Sequence, residues 1–418
     1  MYRKLDQYIL ERATGFRNGV VLPFQEIETT FADIEGIFNV SLPEDSVQPW
    51  KSASGGISRD KDRAITGAIA EAMERHSAAI IKFPIKKLSE LNNEKVILHS
   101  EFSLFSDEQY TTPNFHWKKF GVEDAFFGEV YSVYDNQKVW VPQELIGLGT
   151  ISEKALIPST STGLSAHFDK YAGLLLAIQE LLERDALTVY WLNSLGGREI
   201  VLDDKYLEPV RKKFGEVFCF DITQEWNHHP VIIVCGYIKQ RNKKRFSMGV
   251  ACRKNHEEAI EKAYLEWIQG TIFAGFYDLY HPTLDLSKIE DIVDFDKHAV
   301  YYTLYPQLWK RIPLLNKKNA YVPKTKMASK NQSITSILED LLVELHKIGI
   351  RIYYRDLTLP DVREAGLTVI RALSPELSLI HGDERAPFQG GKTKDVIWRY
   401  PDLVNQVEFL NKLPHPLG

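Results

Sequence analysis

The sequence predicts an α+β chain, and three observations carry that prediction. Two apolar helical runs, near residues 62–81 and 169–191, each contain the string Glu-x-x-Glu-Arg. Runs rich in Phe, Trp, Tyr and Val with polar alternation, at 124–134 and 138–142, read as strands. An amphipathic run at 333–348, with Ile334, Ile337, Leu338, Leu341, Leu342 and Leu345 on one face, reads as a helix with strands after it. Helices stacked on sheets give both kinds of element a partner for their apolar faces.

Taken in order, residues 1–50 alternate short apolar pieces with turn residues, and 14–21 read as a hairpin or a loop entering a strand. Residues 51–58 form a small-residue loop in which Gly55 and Gly56 would let backbone amides approach a phosphate. The helix at 62–81 packs a stripe of Ala64, Ile65, Ala68, Ile69, Ala72 and Met73. At about 100° per residue, Glu71 and Glu74 fall on the flank of that stripe. A turn at 135–137 joins the strands at 124–134 and 138–142. Asp169 is the N-cap of the second helix, which follows a small-residue turn at 159–165. A connection with a short helix then leads to a strand near 217–222. A hairpin of 230–237 and 246–252 has a basic tip at 239–244, and a third helix spans 256–273. Residues 284–330 read as a polar, proline-interrupted insertion, with strands at 351–357 and 367–372 beyond it. A loop at 381–391 carries His381, which more often than not has no chemical role in such a place. A short helical piece at 401–410 precedes a stiff tail with Pro414 and Pro416.

Composition narrows the function. The chain has 418 residues, 44% hydrophobic and 26% charged, ample for a globular core. A net charge of −5 gives no basic footprint, so nucleic acid is not an expected partner. No signal core and no bilayer-length apolar run occur in the sequence, so no membrane association is expected and the expected location is the cytoplasm. The three cysteines, Cys219, Cys235 and Cys252, form no Cys-x-x-Cys pair and read as buried thiols.

The repeated motif is the chemical signal. Glu71-Ala-Met-Glu74-Arg75 and Glu180-Leu-Leu-Glu183-Arg184 each place two carboxylates on one helix face. One copy alone is ordinarily a helical salt bridge. Two copies, on helices too apolar to carry charge at no cost, point to a site. Four facing carboxylates would suit a hard cation, Mg²⁺ shared with phosphate oxygens above all. Each Arg stands four residues after the first Glu and would orient it or bind phosphate.

Three segments resemble the YcaO-domain family: Ala64 to Arg75; Ser161-Thr162-Gly163-Leu164-Ser165-Ala166 with Glu180 to Ala186; and Asp356 to Val362 with the strand Val369-Ile370-Arg371-Ala372. The Glu-Arg-Asp-Ala variant, the loop at 381–391 and the proline tail look most like the azoline-forming cyclodehydratases, the D-proteins of thiazole/oxazole-modified peptide biosynthesis. The resemblance implies a YcaO-like fold with mixed, largely antiparallel sheets, in one domain over 1–418 with subdomains at 1–150, 151–280 and 281–418. No fused leader-binding or E1-like domain is expected.

The activity implied is ATP-dependent: Cys, Ser or Thr of a precursor peptide attacks the preceding carbonyl, ATP phosphorylates the oxyanion, and phosphate leaves to give a thiazoline or oxazoline. By position, Glu71, Glu74, Glu180 and Glu183 would hold Mg²⁺. Glu71, Arg75, Thr162, Glu180, Arg184, Glu266 and Gln269 would form the ATP site, and Pro414 and Pro416 would take part in catalysis. Thr162 and Ala172 stand where the family often has Asn and Glu. Implied partners are the precursor peptide, a separate leader-binding or E1-like protein, a flavin dehydrogenase and a second copy of the chain. A thioamide-forming outcome, and a non-catalytic accessory role, stay open at this level.

Overall fold

The computed structural model describes residues 12–15, 20–27, 29, 31, 34, 37–40, 54–117, 125–148, 157–321 and 332–418. Residues 16–19 of the expected hairpin at 14–21, the start of the loop at 51–58, residue 124 and positions 322–330 of the insertion lie outside them. In chain order, β1 (Gln25–Ile27), β2 (Ile37–Val40) and β3 (Ser54–Ile57) precede α1 (Lys61–Ile80), β4 (Ile85–Lys87), β5 (Phe126–Ser132) and β6 (Lys138–Pro142). Next come β7 (Leu164–His167), α2 (Lys170–Leu192), β8 (Arg198–Ile200), α3 (Asp204–Lys212), β9 (Glu216–Asp221), β10 (Val231–Gln240) and β11 (Lys243–Cys252). Then follow α4 (His256–Tyr280), α5 (Phe295–Leu304), β12 (Asn319–Ala320), α6 (Ile334–Lys347), β13 (Tyr353–Asp356) and β14 (Thr368–Leu373).

These elements form two compact units. The first comprises Met1–Phe102, His116–Leu181 and Ser333–Pro375; the second comprises Ser103–Phe115, Leu182–Gln332 and Glu376–Gly418.

The first unit holds a sheet in the order β4-β5-β13-β14-β7, with β6 beside β5, and a smaller sheet β1-β2-β3. Every pairing in both is antiparallel. Asp60 starts α1 by accepting from Arg63 N at 2.9 Å, the role a short acidic side chain fills at a helix N-terminus. Helix α1 packs on β3, β7 and β14. The described part of the loop expected at 51–58 holds the strand β3, and Gly56 serves packing: a Cβ there would lie 2.0 Å from Ala64 O. Any side chain there would push strand and helix apart.

The second unit has the sheet β11-β10-β9-β8-β12, antiparallel except for β12 on β8. The β10–β11 hairpin is longer than the sequence suggests. Its turn is Arg241-Asn242, both at positive φ (47° and 61°), the twist a two-residue hairpin turn requires. Helix α4, capped by Asn255, covers β10 and β11 and runs to Tyr280, past the expected end at 273. The insertion at 284–330 is less irregular than expected: it contains α5, with His298, Tyr301 and Tyr302 buried. Polar and aromatic residues interrupt its apolar period, which hid it.

The fold is thus the mixed, largely antiparallel α+β class that the sequence implies. Among the described residues no helix is long and apolar enough to cross a membrane.

Candidate functional site

Helix α2 begins as expected, with Asp169 Oδ1 accepting from Tyr171 N (2.8 Å) and Ala172 N (3.1 Å). Its residues 170–181 belong to the first unit and 182–192 to the second. In the first unit, α1, α2, β14 and the turn before β7 bring together Glu71, Glu74, Arg75, Thr162, Glu180 and Arg371.

Glu71 is engaged on both oxygens. Oε1 accepts from Arg75 at 2.6 Å, the i,i+4 pair, and Oε2 accepts from Gly55 N at 2.9 Å. Glu74 is in a different condition. Burial first, and then the carboxylates of Glu180 and Glu71, push its acid up to about 8, against the pull of Arg75 and Arg371. At neutral pH and without ligand Glu74 is therefore mostly a neutral acid.

Arg371 is fully buried in the middle of β14. It donates to three carbonyls, Nε to Ile146 O (3.0 Å), Nη1 to Thr162 O (2.7 Å) and Nη2 to Thr160 O (2.7 Å). Those bonds fix the guanidinium. Burial lowers its basicity to about 10, and Glu180 and Glu74 counter that fall, so it remains a cation at physiological pH. Thr162 O reaches Arg371 because Gly163 turns the chain at φ +85°, where a Cβ would lie 2.3 Å from Ala372 O. Arg371 is the site residue that sequence reasoning missed. Its signal was a lone charge inside the apolar strand Thr-Val-Ile-Arg-Ala-Leu.

The other expected residues lie in the second unit. Arg184 Nη1 pairs with Glu183 Oε1, and Glu183 Oε2 accepts from the buried Cys252 N at 3.1 Å. Glu266 and Gln269 stand three apart on α4, with Lys262 bridging to Glu266 at 3.0 Å. Pro414 and Pro416 are buried. The next acid along α2, Asp185, makes a structural pair: Arg399 donates to it at 2.7 and 2.8 Å and neither side chain is exposed. His381 is buried, 3.5 Å from Glu384. All three cysteines are buried thiols, their acidity suppressed by burial.

Among the described residues no three His, Cys, Asp or Glu side chains converge so as to hold a metal ion by themselves. The hard oxygens of Glu74 and Glu180, flanked by fixed guanidinium groups, nevertheless suit a metal–phosphate group in which phosphate supplies the remaining ligands.

A model of the family described as "YcaO cyclodehydratase, ATP-ad Mg2+-binding" matches residues 55–378. A heterocyclase in complex with substrate and cofactor has the same fold with a TM-score of 0.72 at 19% identity, over 96% of this chain and 55% of that one. This chain thus spans about half the length of that heterocyclase. YcaO from Methanopyrus kandleri, bound with AMPPCP and Mg²⁺, gives a TM-score of 0.64 at 16% identity over 89% of each chain. The E. coli microcin synthetase McbBCD complex with pro-MccB17 bound also gives 0.64, at 17% identity, over 94% of this chain and 96% of that one. No curated protein matches the chain in sequence.

Proposed function

The chain belongs to the YcaO family, and from that premise we propose that it is an ATP-dependent peptide cyclodehydratase. In this reading a Cys thiol or a Ser or Thr hydroxyl of a ribosomal precursor peptide adds to the preceding backbone carbonyl. The oxyanion takes the γ-phosphoryl group of ATP. Loss of phosphate, with the amide proton, leaves a C=N bond and closes a thiazoline or oxazoline.

The observation that carries the proposal is the cluster of Glu74, Glu180 and the immobilised Arg371. Phosphoryl transfer asks a protein mainly for positioning and for fixed charge around the phosphate oxygens. Glu74 and Glu180 are the carboxylates we assign to Mg²⁺, and the metal would neutralise phosphate charge there. Glu71 and Glu183, which hold Arg75 and Arg184, are the two further carboxylates proposed for the metal. Arg75, Arg184, Thr162, Glu266 and Gln269 are the proposed nucleotide contacts, and Pro414 and Pro416 are proposed to act in ring closure.

The proposed partners are the precursor peptide, a separate leader-binding or E1-like protein that recruits it, a second copy of the chain and a flavin dehydrogenase acting on the ring. The McbBCD complex with pro-MccB17 supports a peptide and further subunits. The test is mass spectrometry of the peptide after incubation with ATP, Mg²⁺ and the recruiting protein. Loss of one water per modified residue is expected. Exchange of oxygen for sulfur would move the assignment to backbone thioamides, and ATP turnover with no mass change would overturn both.

A further inference from the structure

The segment Leu413–Leu417 is held in an unusual manner. Two of its five residues are proline, so it has few N–H groups with which to bind anything. It is anchored instead through its carbonyls. Trp191 Nε1 on α2 donates to Leu413 O at 2.6 Å. Tyr302 Oη on α5 donates to Pro414 O at 2.8 Å. His298 Nδ1, one turn earlier on α5, lies 2.9 Å from His415 O. A carbonyl only accepts, so the His298 ring carries its proton on Nδ1. The His415 ring stacks on His298 with centroids 3.9 Å apart, and its Nε2 reaches back to His381 O at 2.7 Å.

Three consecutive carbonyls thus each meet a side-chain donor from a helix, and residues 414–417 are buried. Burial and the neighbouring imidazoles keep His298 and His415 uncharged, His298 titrating at about 3. The anchored segment also forms a wall. A cavity of about 190 Å³ is lined by Leu413 and Trp191 together with His381 and Glu384. A stretch that merely filled the core would be held by its apolar side chains. This one is held at its backbone, with its start facing open space.

We propose that Trp191, His298 and Tyr302 are positioning residues, a clamp that sets the carbonyls of residues 413–415 and thereby fixes Pro414 and Pro416 for the reaction. The proposal rests on the reading above, in which those prolines act in ring closure.

The test uses the full chain with its recruiting protein and precursor peptide. Tyr302→Phe removes one donor and keeps the ring, and Trp191→Phe removes one donor and keeps an aromatic, if smaller, side chain. Each is expected to lower kcat for ring formation about tenfold, the effect of one lost buried hydrogen bond, and to leave KM for ATP within about twofold. Combined with Pro414→Ala/Pro416→Ala, neither is expected to lower kcat further, because the group it positions is already impaired. Amide exchange of a peptide covering 408–418 is expected to accelerate in both variants. A purely structural role predicts losses that multiply in full with those of the proline variant, and that result overturns the proposal. Unchanged exchange in both variants also overturns it. A wild-type protein that forms no ring under any partner removes the cyclodehydratase reading and the positioning role with it, whereas the exchange arm then still reports whether the clamp holds the segment.

Discussion

The two copies of Glu-x-x-Glu-Arg are alike in sequence and unlike in structure. On α1 the Arg folds back to the first Glu of its motif, Arg75 to Glu71. On α2 it pairs with the second, Arg184 to Glu183, and Glu183 is further tied to Cys252 N. Between them, Glu74 and Glu180 repel one another beside Arg371. A motif repeated in the sequence thus becomes one pair of mutually repelling acids, Glu74 and Glu180, and two ion pairs, Glu71–Arg75 and Glu183–Arg184. Groups that pair internally stabilise the fold, and groups left in mutual repulsion are the ones a charged ligand can relieve.

The largest effect should come from the cation common to both acids. Arg371→Met removes the charge that Glu74 and Glu180 face and leaves three carbonyls, two of them buried, without this donor. Breaking a buried charge network in this way costs about 3–5 kcal/mol. Chemical denaturation should show the loss, and a midpoint within error of wild type would mean that Arg371 contributes nothing to the cluster.

Glu74→Gln comes next and acts on turnover. Its amide resembles the neutral acid that Glu74 already is at neutral pH, so the melting temperature should hold or rise. ATP turnover should fall by about two orders of magnitude, the scale on which misplaced phosphoryl groups lose rate. Glu180→Gln should behave alike. Near-normal turnover in both would remove the metal–phosphate assignment.

Glu183→Ala should give a smaller effect of the opposite kind. It strands the buried Cys252 N–H, a loss of about 1–3 kcal/mol. Thermal melts should drop while turnover per folded molecule stays closer to wild type than in Glu74→Gln. Equal losses of turnover in the two variants would show that the two motif copies share the work equally.

Much of this was legible in the sequence. The apolar period of α1, α2 and α6 and the caps Asp169 and Glu-x-x-Glu-Arg spacing follow from local rules, and the structure bears out those helices. What local rules could not supply was partnership. Residues 51–58 read as a small-residue loop because nothing in the sequence says that Gly56 will lie in a strand with Ala64 O within reach of a Cβ there. Arg371 read as part of a strand because its carbonyl partners at 146, 160 and 162 are more than 200 residues away. Helix α5 escaped notice because His298 and Tyr302 replace aliphatic residues in its buried face, and their partners are likewise remote.

The smallest expected effect is a pH dependence, and its sign tests the strain directly. Glu74 titrates at about 8 in the folded protein and near 4.5 when unperturbed. The folded chain therefore keeps a proton that the unfolded chain gives up. The stability this group contributes is complete below about pH 4.5 and is lost as pH rises through 8. Ligand binding must displace the same proton, so Mg·ATP affinity should rise about tenfold per pH unit up to pH 8 and level off above it. The observable is the difference between wild type and Glu74→Gln, which has no proton to lose. Calorimetric titration of both proteins from pH 6 to 9 should show the wild-type slope and a flatter line for the variant. Superimposable curves would mean that Glu74 holds no extra proton and that its carboxyl is an ordinary acid.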